Sequence, residues 1–225
     1  MFLVSEAVAS QVVGMNDAID AVERVFVQLH RGEAEICPVV LGRGTDRANL
    51  FSVKGGAIDS SALVGVKIGT YWPGNRQRGQ RAHASTTLLL DPATGLPHAL
   101  IAASHLTALR TAASDGVAIR HLSRPESSSL ALIGAGHQAW FELMAACAVR
   151  PIRRLRVWSR RLADAEYLAE RAQRETGIPD CARADLPDAI SSADIVVTVT
   201  AAREALVQRE WVKPGTHISA MGSDA

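Results

Sequence analysis

The chain has 225 residues, a net charge of +1 and 48% hydrophobic residues, enough apolar material for one large or two small cored domains. The even charge balance provides no global field for nucleic acid or an anionic membrane, and no apolar run approaches the roughly 18 residues that span a bilayer. Cys37, Cys147 and Cys181 are odd in number and form no CxxC pair, and the seven histidines show no HxH or HExxH spacing, so neither disulfides nor a metal site is expected.

Met1–Glu6 is apolar but lacks a basic lead and carries Glu6, so no signal peptide is expected and the reading is a cytoplasmic protein. Ile19, Val22, Val25, Phe26 and Leu29 fall near helical spacing and predict a helix over about 15–31. Strands are predicted at 50–53, 63–69, 85–90 and 97–101. The last two should form a hairpin around Asp91-Pro92-Ala93-Thr94-Gly95. Ser104 can cap a helix reaching His121, and the polar, proline-containing stretch 123–128 reads as a domain junction.

Beyond it the rhythm becomes βαβαβ. A strand at 129–133 leads to a helix at 137–149, then a strand at 155–158 and a helix at 161–176 ended by Gly177. A short helix near 185–192 precedes the apolar strand 194–200, of the type buried in parallel sheets, and 217–220 is a further short strand. The chain stops soon after a strand, where such a sheet usually continues, so a fragment of a longer protein is expected. The predicted fold is α/β: an N-terminal α+β domain over 1–123 and a parallel-sheet domain of Rossmann type over 124–225.

The parallel domain carries the chief motif. Strand 129–133 runs into Gly134-Ala135-Gly136, with Ala139 where a third glycine could stand. Gly134 permits the turn, Gly136 lets a pyrophosphate approach the backbone, and Ala139 keeps helix and strand close. The helix start at His137 and Gln138 offers N–H groups and a positive dipole end to the phosphates. Thr200, at the end of strand 194–200, joins this cofactor set. The second strand ends Trp158-Ser159-Arg160-Arg161, with no carboxylate for the ribose hydroxyls; Asp164 lies farther on, inside the helix. A hydroxyl and two guanidinium groups suit a 2′-phosphate, which favours NADP(H) over NAD(H). Alternatively, Arg160 and Arg161 are solvated residues of a helix start.

In the first domain, Gly65, Lys67 and Gly69 share one face of a strand, leaving open space around the lysine for a ligand carboxylate or for proton transfer. A solvated lysine on an exposed sheet is the plainer alternative. Arg110 lies mid-helix among small and apolar residues, where its charge needs an anion: a substrate carboxylate, or Asp115 or Glu126. His83 is read as a loop residue ahead of strand 85–90, in company with Arg76, Arg78 and Arg81, and either lines the substrate pocket or has no role.

The run Leu106-Thr107-Ala108-Leu109-Arg110-Thr111-Ala112-Ala113-Ser114, followed by Leu132-Ile133-Gly134-Ala135-Gly136, resembles the ornithine cyclodeaminase/mu-crystallin family. Gly65-Val66-Lys67, Pro73-Gly74-Asn75, Ala193-Asp194-Ile195-Val196 and the ending Gly222-Ser223-Asp224 extend the resemblance over the whole chain. It implies a homodimer whose N-terminal halves pair and carry the substrate side. It also implies that Lys67 and Arg110 hold the substrate, that Thr111 reaches a cofactor phosphate, and that Asp224 serves proton transfer near the nicotinamide. Two departures stand out. Pro38 is followed by Val39 and Val40 where some relatives have a second carboxylate-binding arginine, a place Arg43 or Arg47 could fill, and His83 is followed by Ala84 rather than Gln. The function this resemblance implies, with Ser159-Arg160-Arg161 favouring it, is an NAD(P)H-dependent reductase or dehydrogenase of small imino or amino acids. The alternatives are ornithine cyclodeaminase and a non-catalytic NADP(H)-dependent ligand binder.

Overall fold

The computed structural model describes residues 1–222, without the side chains of Arg76 and Arg183. The chain divides into two compact units, Met1–Arg110 and Thr111 onward.

The first unit contains β1 (Phe2–Val4), α1 (Glu6–Val12), α2 (Met15–Arg31), β2 (Ala34–Ile36), β3 (Val40–Arg43), β4 (Leu50–Ile58), β5 (Leu63–Tyr71), β6 (His83–Leu90) and β7 (Pro97–Ala102). They form a seven-stranded sheet in the order β1-β7-β6-β5-β4-β2, with β3 also pairing β4. Only β1 runs parallel to its neighbour. The predicted β6–β7 hairpin is present. Its turn is organised by Asp91 Oδ1, which accepts from the Ala93 and Thr94 amides and the Thr94 hydroxyl at 2.9–3.0 Å, before Gly95 turns at φ +70°. Helix α2 is capped by Asp17, which accepts from the Gly14 amide at 3.0 Å, and ends at left-handed Gly32. The strands β1, β2 and β3 are too short for their alternation to show in the sequence; each exists through its pairing with β7 or β4.

Helix α3 (Ser104–Leu122) spans the division between units. Its cap differs from the sequence reading. The Glu6 carboxylate, distant in sequence, accepts from the amides of Ser104 and His105, while the Ser104 hydroxyl accepts from the Ser85 amide. A carboxylate at a helix N-terminus satisfies exposed donors and complements the dipole, so it displaces the local hydroxyl from that task.

The second unit continues with β8 (Ser129–Ile133), α4 (His137–Val149), β9 (Arg154–Trp158), α5 (Leu162–Thr176), β10 (Asp180–Arg183), α6 (Leu186–Ser191), β11 (Ile195–Thr198) and β12 (His217–Ala220). The five strands are parallel in the order β10-β9-β8-β11-β12. Strand β10 adds an edge that the sequence reading did not contain. Alternate residues of β8 and β11 point to opposite sides. Leu130, Leu132, Ile195 and Val197 pack with α4 and α5, while Ala131, Ile133 and Val196 pack with α6 and the segment around Trp211. Leu130, Leu132 and Ile133 are fully buried, each contributing roughly 1.5–3 kcal/mol. No helix among the described residues is long and apolar enough to cross a membrane.

Asp194 fastens the entrance of β11. It accepts from the Ser128 and Ser129 amides, the Ser129 hydroxyl and the Arg124 guanidinium at 2.7–3.1 Å, and Lys213 lies 3.3 Å away. Burial alone would raise its pKa, but these partners outweigh it and hold the carboxyl well below the usual range.

Candidate active site

In the first unit, the antiparallel register places Lys67 directly opposite Lys54 on β4 and Thr87 on β6. Side chains alternate along a strand, so Ser52 and Lys54, Lys67, Gly69 and Tyr71, and His83, Ser85 and Thr87 share one face. Gly69 keeps the centre of that face low: a Cβ there would stand 3.3 Å from the Ser52 hydroxyl. His83 is the first residue of β6, not a loop residue as the sequence reading had it. Its ring stacks on that of its cross-strand partner Tyr71, with centroids 4.5 Å apart, and this contact extends the ladder beyond Ser85.

The face is cationic. Burial lowers the Lys67 pKa to about 8, helped by the charges of Arg110 and Lys54. Burial also lowers the pKa of Arg110, on α3. Glu126 pairs with Arg124 at 3.3 Å and Asp115 is buried beside Glu142, while Arg110 has an interaction of its own. Lys54 is absent from the sequence reading, although its spacing from Lys67 across a hairpin could have revealed it. Arg43 lies on β3 and donates to the Arg47 carbonyl at 3.2 Å.

In the second unit, Gly134, Thr200 and the end of β9 lie together at the C-terminal edge of the parallel sheet. Gly134 has φ +123°, and a Cβ on it would sit 2.5 Å from the Val199 carbonyl oxygen and 3.1 Å from Thr200 Cγ2. Only glycine fits there. The Gly134 amide donates to the Trp158 carbonyl at 2.8 Å, which brings the end of β9, and so Ser159, beside the turn. Space above Gly136 is open: a Cβ there would meet nothing within 4 Å, and no side chain of the described residues caps this first residue ahead of α4. A tight turn, an open glycine and an uncapped helix start are what a diphosphate needs, so the residues present fit a dinucleotide. Gln138 donates to Glu142 at 2.8 Å, and His137 packs edge-on to Phe141. Thr200 lies against Gly134 and Gly222, where a Cβ on Gly222 would meet the Thr200 carbonyl. Arg161, just ahead of α5, is paired with Asp164 at 2.7 Å and is 82% exposed. Thr111 opens this unit on α3, and Asp224 lies outside the described residues.

A parallel sheet with such a glycine turn defines a nucleotide-binding protein of the Rossmann class. The chain belongs to the ornithine cyclodeaminase/mu-crystallin family, whose model matches residues 1–225. It is 37% identical over 225 residues to the iminosuccinate reductase of Paracoccus denitrificans, covering all of this chain and 69% of that one. The crystal structure of that reductase with NAD+ superposes with a TM-score of 0.93. The Thermococcus litoralis Delta(1)-pyrroline-2-carboxylate reductase, solved with NADH and L-proline, gives a TM-score of 0.92 at 31% identity, over 99% of this chain and 69% of that one. An archaeal alanine dehydrogenase dimer with bound NAD gives 0.90 at 29% identity, over 97% of this chain and 66% of that one.

Proposed function

We propose that the protein is a nicotinamide-dependent reductase or dehydrogenase of small imino and amino acids, acting at the substrate's α-carbon. The reductases and the dehydrogenase it resembles support this reading, and Lys67 carries it. An ammonium group with a pKa near 8, in a glycine-bounded space beside a second cation, is suited to an anionic substrate and to proton transfer. Lys67 and Arg110 clamp the α-carboxylate, the guanidinium in bidentate fashion. Protonated at neutral pH, Lys67 can give a proton to an imine nitrogen and, in the reverse direction, take one back. His83, stacked on Tyr71 on the same sheet face as Lys67, is assigned to the substrate side. Asp224 is the second proton-transfer group, by resemblance.

Bound nicotinamide supplies or accepts the hydride. The backbone at Gly134, Gly136, His137 and Gln138 holds the diphosphate, with Thr111 and Thr200 contributing hydroxyls. Ser159, Arg160 and Arg161 receive a 2′-phosphate, so NADP(H) is preferred to NAD(H). The exposed Arg161–Asp164 pair is worth only about 0.3–0.5 kcal/mol and yields readily to a phosphate. We further propose a homodimer. The archaeal dimer supports it, as do the large apolar side chains left exposed on short strands of the first unit, Leu3, Ile36, Val40 and Leu41 among them.

The test follows oxidation of NADPH and NADH with pyrroline-2-carboxylate, piperideine-2-carboxylate and iminosuccinate. Turnover of at least one imino acid is expected, with NADPH bound more tightly than NADH and the difference lost in Arg160→Ala/Arg161→Ala. Ammonia and proline from L-ornithine without net cofactor change would instead make the protein a cyclodeaminase. Tighter NADH binding would remove the argument from the two arginines.

A further inference from the structure

We propose that Glu142 is a positioning residue for the dinucleotide: it holds Gln138 at the start of α4, and its ionisation opposes the diphosphate. This rests on the nucleotide site proposed above and adds a control of affinity to it. Gln138 is the second residue of α4, and Glu142 follows one turn later on the same side. The Gln138 side-chain amide donates to Glu142 Oε1 at 2.8 Å. A glutamine at a helix start can also turn back toward the chain ahead of it, as in a capping box. The bond to Glu142 ties Gln138 to the next turn, and so fixes where it lies beside the open space above Gly136.

An acid is a costly choice for this position. Glu142 is fully buried, and Asp115, one turn beyond Thr111 on α3, is buried with it. Asp115 Oδ1 and Oδ2 and Glu142 Oε2 have no hydrogen-bond partner among the described residues, and buried polar atoms in that state reduce stability. Apolar residues of similar volume would serve the core as well or better. The two carboxyls influence each other, so they cannot both ionise readily, and burial keeps Glu142 neutral up to about pH 8. Gln138 faces Glu142 from its own helix and Asp115 from α3, while His217 and Ser219 on β12 face Asp115, and Arg150 adds its charge near His217. The place of the charge matters. Glu142 lies six residues beyond Gly136, about 9 Å along the axis. A helix start offers a diphosphate roughly half a positive charge. A full negative charge less than two turns behind it, in the protein interior, outweighs that. The dinucleotide is therefore held while Glu142 is neutral and repelled once it ionises. By linkage, binding in alkaline solution draws a proton onto Glu142.

Fluorescence titration with NADPH between about pH 6.5 and pH 9.5 tests this, together with calorimetry at about pH 8.5 in two buffers of different ionisation enthalpy. The wild type should bind with constant affinity through neutral pH and about ten-fold more weakly at the alkaline end, and should take up part of a proton on binding at pH 8.5. Glu142→Gln, which still accepts from Gln138, should match the wild type at pH 7, lose the alkaline decline and take up no proton. Glu142→Leu should also be flat in pH but several-fold weaker throughout, because Gln138 is released. Thermal melts verify that both variants fold, and the wild-type proton uptake decides the matter without them. Wild-type affinity that does not change with pH, absence of proton uptake, a decline that survives in Glu142→Gln, or equal affinity of the two variants at pH 7 overturns the inference. If NADPH still binds tightly in such a case, the proposed function stands and only the role of Glu142 falls. If neither NADPH nor NADH binds the wild type at any pH, both fall.

Discussion

Each unit contains ionisable groups held far from their ordinary behaviour, but the two place them in opposite settings. In the first, Lys67 stands on a sheet face bounded by glycines, opposite Lys54 and near the charge of Arg110. In the second, Asp115 is 2% exposed and Glu142 0%, both inside the protein between α3, α4 and β12. Burial raises both carboxyl pKa values, that of Glu142 to about 8. Asp115 Oδ1 and Oδ2 and Glu142 Oε2 have no hydrogen-bond partner among the described residues. Perturbed groups collect at functional sites, but structural networks perturb them too. Exposure separates the two: the lysine face opens on a cavity, whereas the acid pair is buried within the unit, where its ionisation bears on stability.

The contrast is tested most severely at Lys67. Lys67→Met should lower kcat/KM for imino-acid reduction by about 10²–10⁴-fold while leaving thermal stability close to wild type. In the wild type, the alkaline limb of kcat/KM should fall through about pH 8 as the ammonium loses its proton, and Lys67→Arg should move that limb to higher pH. An unchanged rate in Lys67→Met would place the cationic face outside catalysis. The next largest effect belongs to the second unit. Gly134→Val forces a side chain against the Val199 carbonyl at φ +123° and should cost about 2–4 kcal/mol of that unit's stability, together with nucleotide binding. Retained NADPH affinity, measured by fluorescence titration, would show that the turn does not hold the diphosphate.

The two units were also unequally legible. Strands buried on both faces are near-continuous apolar runs, so β8 and β11 announce themselves, and Gly177 marks the end of α5 by its left-handed turn. The open sheet hides more. In the second half of β4, the run Lys54-Gly55-Gly56-Ala57 combines residues of low strand propensity, so the sequence reading stopped at Val53 and never saw the pairing that puts Lys54 opposite Lys67. That pairing is fixed by the turn Asp59–Ala62, not by any local preference. His83 was misplaced for a related reason: its strand character comes from stacking on Tyr71, a partner in another strand. The Glu6 cap of α3 is likewise a contact between distant segments that no local pattern contains.

Within the second unit, Asp194 and Glu142 should respond to pH in opposite directions. Asp194 has a depressed pKa, so its contribution is present at neutral pH and is lost as pH falls below its ordinary value of 3.8. Asp194→Asn should cost about 2–3 kcal/mol at pH 7 by weakening hydrogen bonds to a charged acceptor, and the difference from wild type should shrink in acid. Urea denaturation at neutral and acidic pH measures it; a constant difference would mean that the carboxylate's charge is not what binds the β11 entrance.

The smallest effect has the reverse sign. Glu142 is neutral in the folded chain up to about pH 8 but ionises near 4.5 once unfolded. The folded state therefore holds the extra proton, and stability declines as pH climbs from about 4.5 to 8, levelling off above. Asp115 on α3, Gln138 on α4, and His217 and Ser219 on β12 surround this proton, and Asp115 shares the upward shift. Glu142→Gln retains an oxygen that can accept from Gln138 and removes the ionisation. It should gain on the order of 1–2 kcal/mol over wild type at pH 8–9 and little at pH 5. Parallel stability curves for the two proteins across that range would show that Glu142 ionises alike in both states, and the acid pair would then no longer contrast with the lysine pair across the sheet face.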